Sequence, residues 1–412
     1  MQTLFIGGKI FDGRNATQDD HGVLVEDGRI KRVALKGEFD GFAGNTVDTT
    51  GGTLMPGLMD CHVHLCLGGE ADPRTARAMM LPGQTVMTAL QRAQTTLAGG
   101  ITAIRDCGGK DYLEFAVRDA CNSGQQLGPT IRASGKMICM TGGHGNSIGR
   151  VADGPDDVVK AVREQIHAGS DLVKLMATGG VMTPGVNPED AHFTFEEIAA
   201  GIHEASRFHK PTASHAQGTE GILNATRAGV TSIEHGIFMT EKCVEEMIER
   251  GTYLVPTLAA GHRARNDPEL RAQLSPYILE KAARIGNRSS ESLKMFYDAG
   301  GKVAMGTDAG VPFCMHGENA LELKYMVDAG LTPIDALIAG TSNAADLIGL
   351  PDEGVIKEGA AADILVTDGD PSVDILMAAQ SDNHRIVLKR GLSVRRSAEM
   401  VKDGIPFGMA AF

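Results

Sequence analysis

The sequence predicts an α/β protein. A (β/α)8 TIM barrel over residues 57–349 carries a small β-sandwich built from both termini, residues 1–56 and 350–412. Three observations point there. Strand-like and helix-like segments alternate through the middle of the chain, a pattern that demands a parallel sheet. The two ends share a different texture, short apolar runs separated by turn residues. Polar residues, histidines above all, recur at the C-terminal ends of successive strands. That last feature favours a closed barrel over a doubly wound open sheet, the rival fold.

The amino-terminal part reads as short strands at Leu4-Phe5-Ile6, 22–25 and 29–33. Asp12-Gly13 and Asp27-Gly28 read as hairpin turns. The same texture returns at 355–359, at 363–367, at the turn 368–371 and at 386–388. Chain termini often lie close together, so one domain made from both is physically easy.

In the middle, strands are expected at 58–67, 101–104, 130–133, 172–176, 211–215, 231–235, 252–256 and 302–306. Helices are punctuated by recognisable signals. Pro155 opens one that Gly169 closes, Thr194 and Glu197 form a capping box, and Gly251 ends a helix that starts at Glu241. Thr332-Pro333 caps another.

Composition narrows the function classes. The 412-residue chain is 42% hydrophobic, enough for a large core. Its 52 acidic and 39 basic residues leave a formal charge of −13, which argues against nucleic acid or an anionic membrane as partner. That balance leaves a small-molecule or dipeptide substrate open, and a homo-oligomer is a fair default. Seven cysteines without a CxxC pair read as reduced thiols. With no signal-peptide pattern and no run of apolar residues long enough to span a bilayer, the expected location is cytoplasmic.

The chemistry is concentrated at strand ends. His62 and His64 stand two apart in the apolar run LMDCHVHLCL, so both imidazoles point to one face of a strand. Lys174 interrupts an apolar strand, and an unpaired lysine there is costly to bury. Its bland role would be a salt bridge. A desolvated environment disfavours the ammonium form, and carbon dioxide adds to the neutral amine to give a two-oxygen anion that suits bridging two divalent cations. His215 and His235 close two further strands and Asp308 closes the last. An aspartate at such a place is commonly a helix cap. All six in this order, one set per expected strand end, point instead to a metal centre.

The HxH run with its lead-in Met55-Pro56-Gly57-Leu58-Met59-Asp60, followed by the lysine, two histidines and aspartate, resembles the binuclear type of the amidohydrolase superfamily. The resemblance implies that His62, His64 and Asp308 hold the more buried metal, that His215 and His235 hold the more exposed one, and that carboxylated Lys174 bridges both. Zn²⁺ suits these donors. The segments RDCGG (105–109), ASGKMICMTGGHG (133–145), VKLMATGGVMTPG (173–185) and IEHG (233–236) resemble the prolidase-like dipeptidase branch. That implies hydrolysis of Xaa-Pro or Xaa-hydrophobic dipeptides by a hydroxide between two cations, with Asp308 as proton shuttle. The alternative is an amidohydrolase for N-acyl amino acids, other carboxylate-bearing amides or a cyclic amide.

His144, in the glycine-rich loop after the third strand, is expected at the scissile carbonyl or the substrate carboxylate. Phe238 stands where some relatives of that branch have a tyrosine, three residues after His235, so a hydroxyl contact would be lost. Arg105, Lys110, Arg150, Arg263 and Arg265 are the candidate cations for a substrate carboxylate, Arg105 and Arg150 foremost. His192, His262 and His316 fall in loops that could touch substrate.

Overall fold

A computed structural model describes residues 2–396, so residues 397–412 of the expected composite domain lie outside the described residues. The two ends of the chain form two sheets. One has the order Arg29–Leu35, His21–Glu26, Gln2–Ile6, Asn45–Asp48. The other has the order Leu392–Arg396, His384–Lys389, Ile364–Asp368, Gly52–Pro56, Lys9–Ile10. The chain ends meet in this second sheet, where Pro56 pairs with Ile364 and Leu54 with Val366 in antiparallel register. One apolar cluster unites the two sheets. Phe5, Val23, Val25 and Ile30 from the first pack with Leu54, Ile364, Val366 and Leu388 from the second. Burying each such side chain contributes about 1.5–3 kcal/mol relative to leaving it exposed.

Asp27 and Gly28 both take positive φ, 49° and 77°, as a tight two-residue hairpin turn requires. Asp12-Gly13 differs from expectation. It lies in a wider loop in which Asp12 Oδ1 accepts the backbone N–H groups of Arg14 and Asn15 at 2.8 and 2.7 Å. The carboxylate of Asp12 stabilises a loop of its own there, so no tight hairpin forms.

The middle of the chain alternates strand and helix, and its strands pair in parallel. Leu58–Val63, Ile101–Asp106 and Thr130–Ala133 are neighbours in one sheet. Val173–Met176, Thr212–Ala216, Ser232–His235 and Tyr253–Val255 follow one another in a second, edged by the short strands Ile138–Cys139 and Arg150–Val151. Most of these residues are buried, as parallel strands covered on both faces must be.

The eighth expected strand, 302–306, is no regular strand. It makes one bridge, Leu254 to Val303. Its backbone nevertheless joins the two sheets: Leu254 N–H donates to Lys302 O at 2.9 Å and Cys61 N–H to Met305 O at 2.8 Å. Gly306 makes the close approach possible, since a Cβ there would sit 2.4 Å from a Val255 methyl and 3.0 Å from His62 Cβ. The helix signals act as expected. Thr194 Oγ1 accepts the Glu197 N–H while Glu197 returns the bond to the Thr194 N–H, and Gly169 and Gly251 close their helices at φ 98° and 68°. Among the described residues no helix is long and apolar enough to cross a membrane.

Candidate metal centre

His62, His64, Lys174, His215, His235 and Asp308 all line one cavity of about 970 Å³ at the C-terminal ends of the parallel strands. The structure thus brings together every residue expected as a metal ligand. Ring centroids lie 5.3 Å apart for His62 and His64, 5.2 Å for His62 and His235, and 4.6 Å for His215 and His235. Ligand atoms of His62, His235 and Asp308 all fall within 4.8 Å of one another.

Each imidazole has one nitrogen anchored. His62 Nδ1 donates to Glu234 Oε2 at 2.7 Å, His64 Nδ1 donates to Gly108 O at 2.8 Å, and His235 Nδ1 pairs with Thr257 Oγ1 at 2.7 Å. Their Nε2 atoms are left for a cation. His215 is turned the other way: Nε2 donates to Gly179 O at 2.9 Å, leaving Nδ1. Such anchoring fixes ring orientation and tautomer, as partners of metal-binding histidines do.

Electrostatics favour the ligating forms. Burial, reinforced by Lys174, pushes His62 down to about 3. Burial also brings His235 to about 4 and holds His215 well below the ordinary imidazole value. These rings are therefore neutral near pH 7, as ligands must be. His64 is the exception. Burial opposes its charge, but the adjacent Asp308 carboxylate raises its pKa. Burial also opposes ionisation of Asp308, yet the neighbouring His62 and His64 hold its carboxyl well below the usual carboxylate range.

Two buried polar atoms mark the place for cations. Lys174 is 1% exposed, and its Nζ has no hydrogen-bond partner. Asp308 Oδ1 lies 3.2 Å from His64 Nε2 and 3.5 Å from His62 Nε2 but makes no well-aligned hydrogen bond. Four imidazoles, three of them held neutral, around an unsatisfied carboxylate oxygen and amine fit divalent cations. A second grouping, His62 with Cys107 and Glu234, fits them less well. Glu234 is already committed to His62 and Arg105, and burial pushes the Cys107 thiol up to about 12.

Backbone strain gathers at the same place. His235, Thr257 and Asp308 take φ of 74°, 49° and 65°. Side chains rarely adopt this region, and it is held only where surrounding contacts over-determine it.

Several residues unremarked in the sequence support the ligands. Glu234 accepts from His62 on one oxygen and from Arg105 Nη2, at 2.7 Å, on the other. Asp60 Oδ1 accepts the His62 N–H, and its Oδ2 accepts Thr307 Oγ1 and Asn319 Nδ2, tying the first strand to the last segment. Glu322 accepts the Leu258 and Ala259 N–H groups, each at 2.7 Å, and so fixes the loop carrying Thr257. Their signal in the sequence was weak but real: an acid inside an apolar strand or helix face needs a partner.

His144 lines the cavity 4.6 Å, ring to ring, from His215 and pairs with Thr183 Oγ1 at 2.8 Å. Gly180 lies against its ring, where a Cβ would come within 2.5 Å. Burial brings His144 to about 3, so it acts as a neutral hydrogen-bonding group.

Other expectations need correction. Arg105 does not face the cavity. It is 2% exposed, donating to Cys61 O, Ser232 Oγ and Glu234 Oε1 between strands. Arg150 is held by Glu164 and Asp157 at 2.7 and 2.8 Å, two acids of the helix Pro155–Ala168, so its charge is already matched. Arg263 pairs with Glu318, and Lys110 is not among the cavity residues, whereas Arg265 is. Phe238 also lies off the cavity wall, which Ile237 lines instead. His192, His262 and His316 do not line it either. His192 Nδ1 accepts the His144 N–H, His262 stacks on Tyr325, and His316 donates to Leu67 O.

The geometry has known counterparts. A family model described as "Amidohydrolase family" matches residues 53–395. Ochratoxinase of Aspergillus niger is 31% identical over 356 residues, covering 78% of this chain and 71% of its own. A solved Xaa-Pro dipeptidase with methionine bound in its active site superimposes with a TM-score of 0.87 at 33% identity, over 95% of this chain and 99% of the other. A prolidase complexed with N-methylphosphonate-L-proline superimposes with 0.86 at 31% identity, over 96% and 100%. The match over most of the chain, together with imidazoles, lysine and aspartate converging at the strand ends, establishes that this chain belongs to the amidohydrolase family.

Proposed function

We propose that the protein is a binuclear metal-dependent hydrolase that cleaves the amide bond of dipeptides in a prolidase-like manner. The observation that carries this reading is Lys174 Nζ, buried without a partner in the cavity that His62, His64, His215, His235 and Asp308 also line. Carboxylated, it would present two oxygens where an amine alone is unsatisfied. His62, His64 and Asp308 would then hold one cation and His215 and His235 the other, with Lys174 between them. Imidazole and carboxylate donors suit Zn²⁺.

Two divalent cations held there would polarise the scissile carbonyl and lower the pKa of a bound water. The rest falls to the chain's own side chains. Asp308, ionised at neutral pH, takes a proton at Oδ1 and delivers it to the leaving nitrogen. His144, neutral and held by Thr183, orients the substrate or hydrogen-bonds the carbonyl oxygen as charge develops. Pro73, Leu274, Ile278 and Ile285 line the cavity and give it an apolar wall against which a substrate side chain would be shielded from water.

A second reading has an observation of its own. At about 970 Å³ the cavity stands at the upper end of ligand sites, roughly 300–1,000 Å³, and is larger than a dipeptide fills. That favours N-acyl amino acids or other carboxylate-bearing amides with a bulky apolar group. The 31% identity to ochratoxinase supports amide hydrolysis in general. Steady-state hydrolysis of Xaa-Pro, Xaa-aliphatic and N-acyl amino acid panels separates the two. Asp308→Asn should lower kcat on the preferred panel roughly 10²–10⁴-fold. Equal activity in Asp308→Asn would overturn the shuttle.

The same reading extends to architecture. The two parallel sheets, joined through 302–306, are taken as one closed (β/α)8 barrel over 57–349. The two terminal sheets on their shared core are taken as a β-sandwich. All seven cysteines are free and buried, which suits a reducing, cytoplasmic setting.

A further inference from the structure

A substrate that ends in a carboxylate needs a cation, and the arginines expected to serve are committed elsewhere. Four arginines do line the cavity: Arg74, Arg77, Arg265 and Arg271. They differ in their surroundings. Arg265 has the charge of Glu322 beside it and directs Nη2 toward Leu258 O at 3.4 Å. Arg74 and Arg271 are exposed, where an ion pair is worth little. Arg77 is half-buried. Its Nη2 donates to Ser147 Oγ at 3.1 Å, and among the described residues no carboxylate lies within ion-pair distance of its guanidinium.

The nearest acid in sequence is spent. Asp72 caps the helix Pro73–Ala78 by accepting the Arg74 and Thr75 N–H groups on Oδ1 and Thr75 Oγ1 on Oδ2. Burial lowers the Arg77 pKa, with Arg74 lowering it further, as expected for a partly desolvated cation lacking a counter-charge. Ser147 belongs to the same loop as His144, which stands against His215. The Arg77–Ser147 bond therefore ties the loop after the first strand to the loop that carries His144, with both partners on the cavity wall.

We propose that Arg77, with Ser147, forms the subsite that binds the substrate's free carboxylate. It rests on the amide-hydrolase reading above and deepens it. The guanidinium offers a planar fork to two carboxylate oxygens, and partial burial strengthens that pairing relative to an exposed lysine or arginine. Ser147 holds the fork in place. Arg77 is thus a specificity-determining residue, selecting amides that carry a free carboxylate over neutral ones.

The test compares one amide substrate with its C-terminal carboxamide in the metal-loaded enzyme. Wild type should prefer the free acid roughly ten- to a hundredfold in kcat/KM, through KM, the loss expected for one charge-assisted hydrogen-bonded pair. In Arg77→Gln that preference should collapse toward one, and Arg77→Lys should restore part of it. An unchanged preference in a folded Arg77→Gln protein overturns the proposal. So does collapse in Arg265→Gln or Arg271→Gln in place of Arg77→Gln. Wild-type enzyme that cleaves no amide in either form sinks the amide-hydrolase reading instead. Equilibrium binding of free phenylalanine and of proline, against their amides, then decides the subsite. Arg77→Gln must abolish the preference for the free acid there too, and an unaltered preference overturns it.

Discussion

Two buried lysines in this molecule live in opposite circumstances. Lys389, 5% exposed, lies where the terminal sheets meet the strand Thr130–Ala133. It donates to Asp363 Oδ2 at 2.5 Å and to Thr130 Oγ1 at 2.7 Å, with Glu353 Oε2 at 3.5 Å. Lys174, 1% exposed, lies within the strand Val173–Met176 with nothing hydrogen-bonded to its amine. An ammonium taken out of water must recover its hydration in partners or destabilise the fold. Lys389 recovers it within the chain. Lys174 does not, and the groups around it are nitrogens and oxygens of the kind that bind cations. One lysine closes a structural joint; the other is left without a partner by the chain itself.

The sharpest way to break this contrast is Lys174→Ala. Metal analysis of wild type should find about two divalent ions per chain, and the variant should lose metal and hydrolytic activity together. A fully active Lys174→Ala would end the bridging role. With metal stripped by a chelator, the variant should be no less stable to urea than wild type, because it removes an unpartnered amine. Lys389→Ala should behave oppositely. It strands Asp363 and Glu353, and the expected cost is about 3–5 kcal/mol in urea unfolding. Activity per folded molecule should be kept.

A smaller effect is expected at Glu234, which holds both His62 and Arg105. Glu234→Gln should weaken metal binding about 10–100-fold, read by competition with a chromophoric chelator. A variant with wild-type affinity would show that the carboxylate does not orient His62. Smallest is a pH effect at Glu322. Burial pushes its carboxyl from an ordinary 4.5 up to about 8, against the two N–H donors that favour the anion. The folded state therefore holds a proton there that the unfolded state releases. Its contribution to stability is present below about 4.5 and is lost as pH rises toward 8. Urea midpoints across that window should fall less steeply in Glu322→Gln than in wild type, and identical slopes would refute the assignment.

Some of this was legible in the residues alone. His62 lies in the strand Leu58–Val63 and His64 one residue past its end, and their two-residue spacing still brings the rings to 5.3 Å on one cavity wall. Thr194, Glu197, Gly169 and Gly251 set helix ends through groups within a turn of each other. Asp27-Gly28 is likewise local. The failures share a cause as well. In Ile101–Asp106 every residue is buried, so nothing in the pattern told which face Arg105 would take. Its partners, Cys61, Ser232 and Glu234, are far off in sequence. Residues 302–306 read as a strand from composition, but the fold leaves them one bridge, Leu254 to Val303, with Gly306 packed close against Val255 and His62.

By itself, then, the sequence determined the alternation of elements, the ends of the helices and the kind of donor at each strand terminus, because these depend on neighbours a few residues away. Only tertiary structure decided which nitrogen of each imidazole is free, which acids brace them, and that Arg77 rather than Arg105 or Arg150 reaches the cavity with its charge unspent. Those outcomes depend on pairings between distant segments, where the burial of a charge is settled by whatever partner the fold brings beside it.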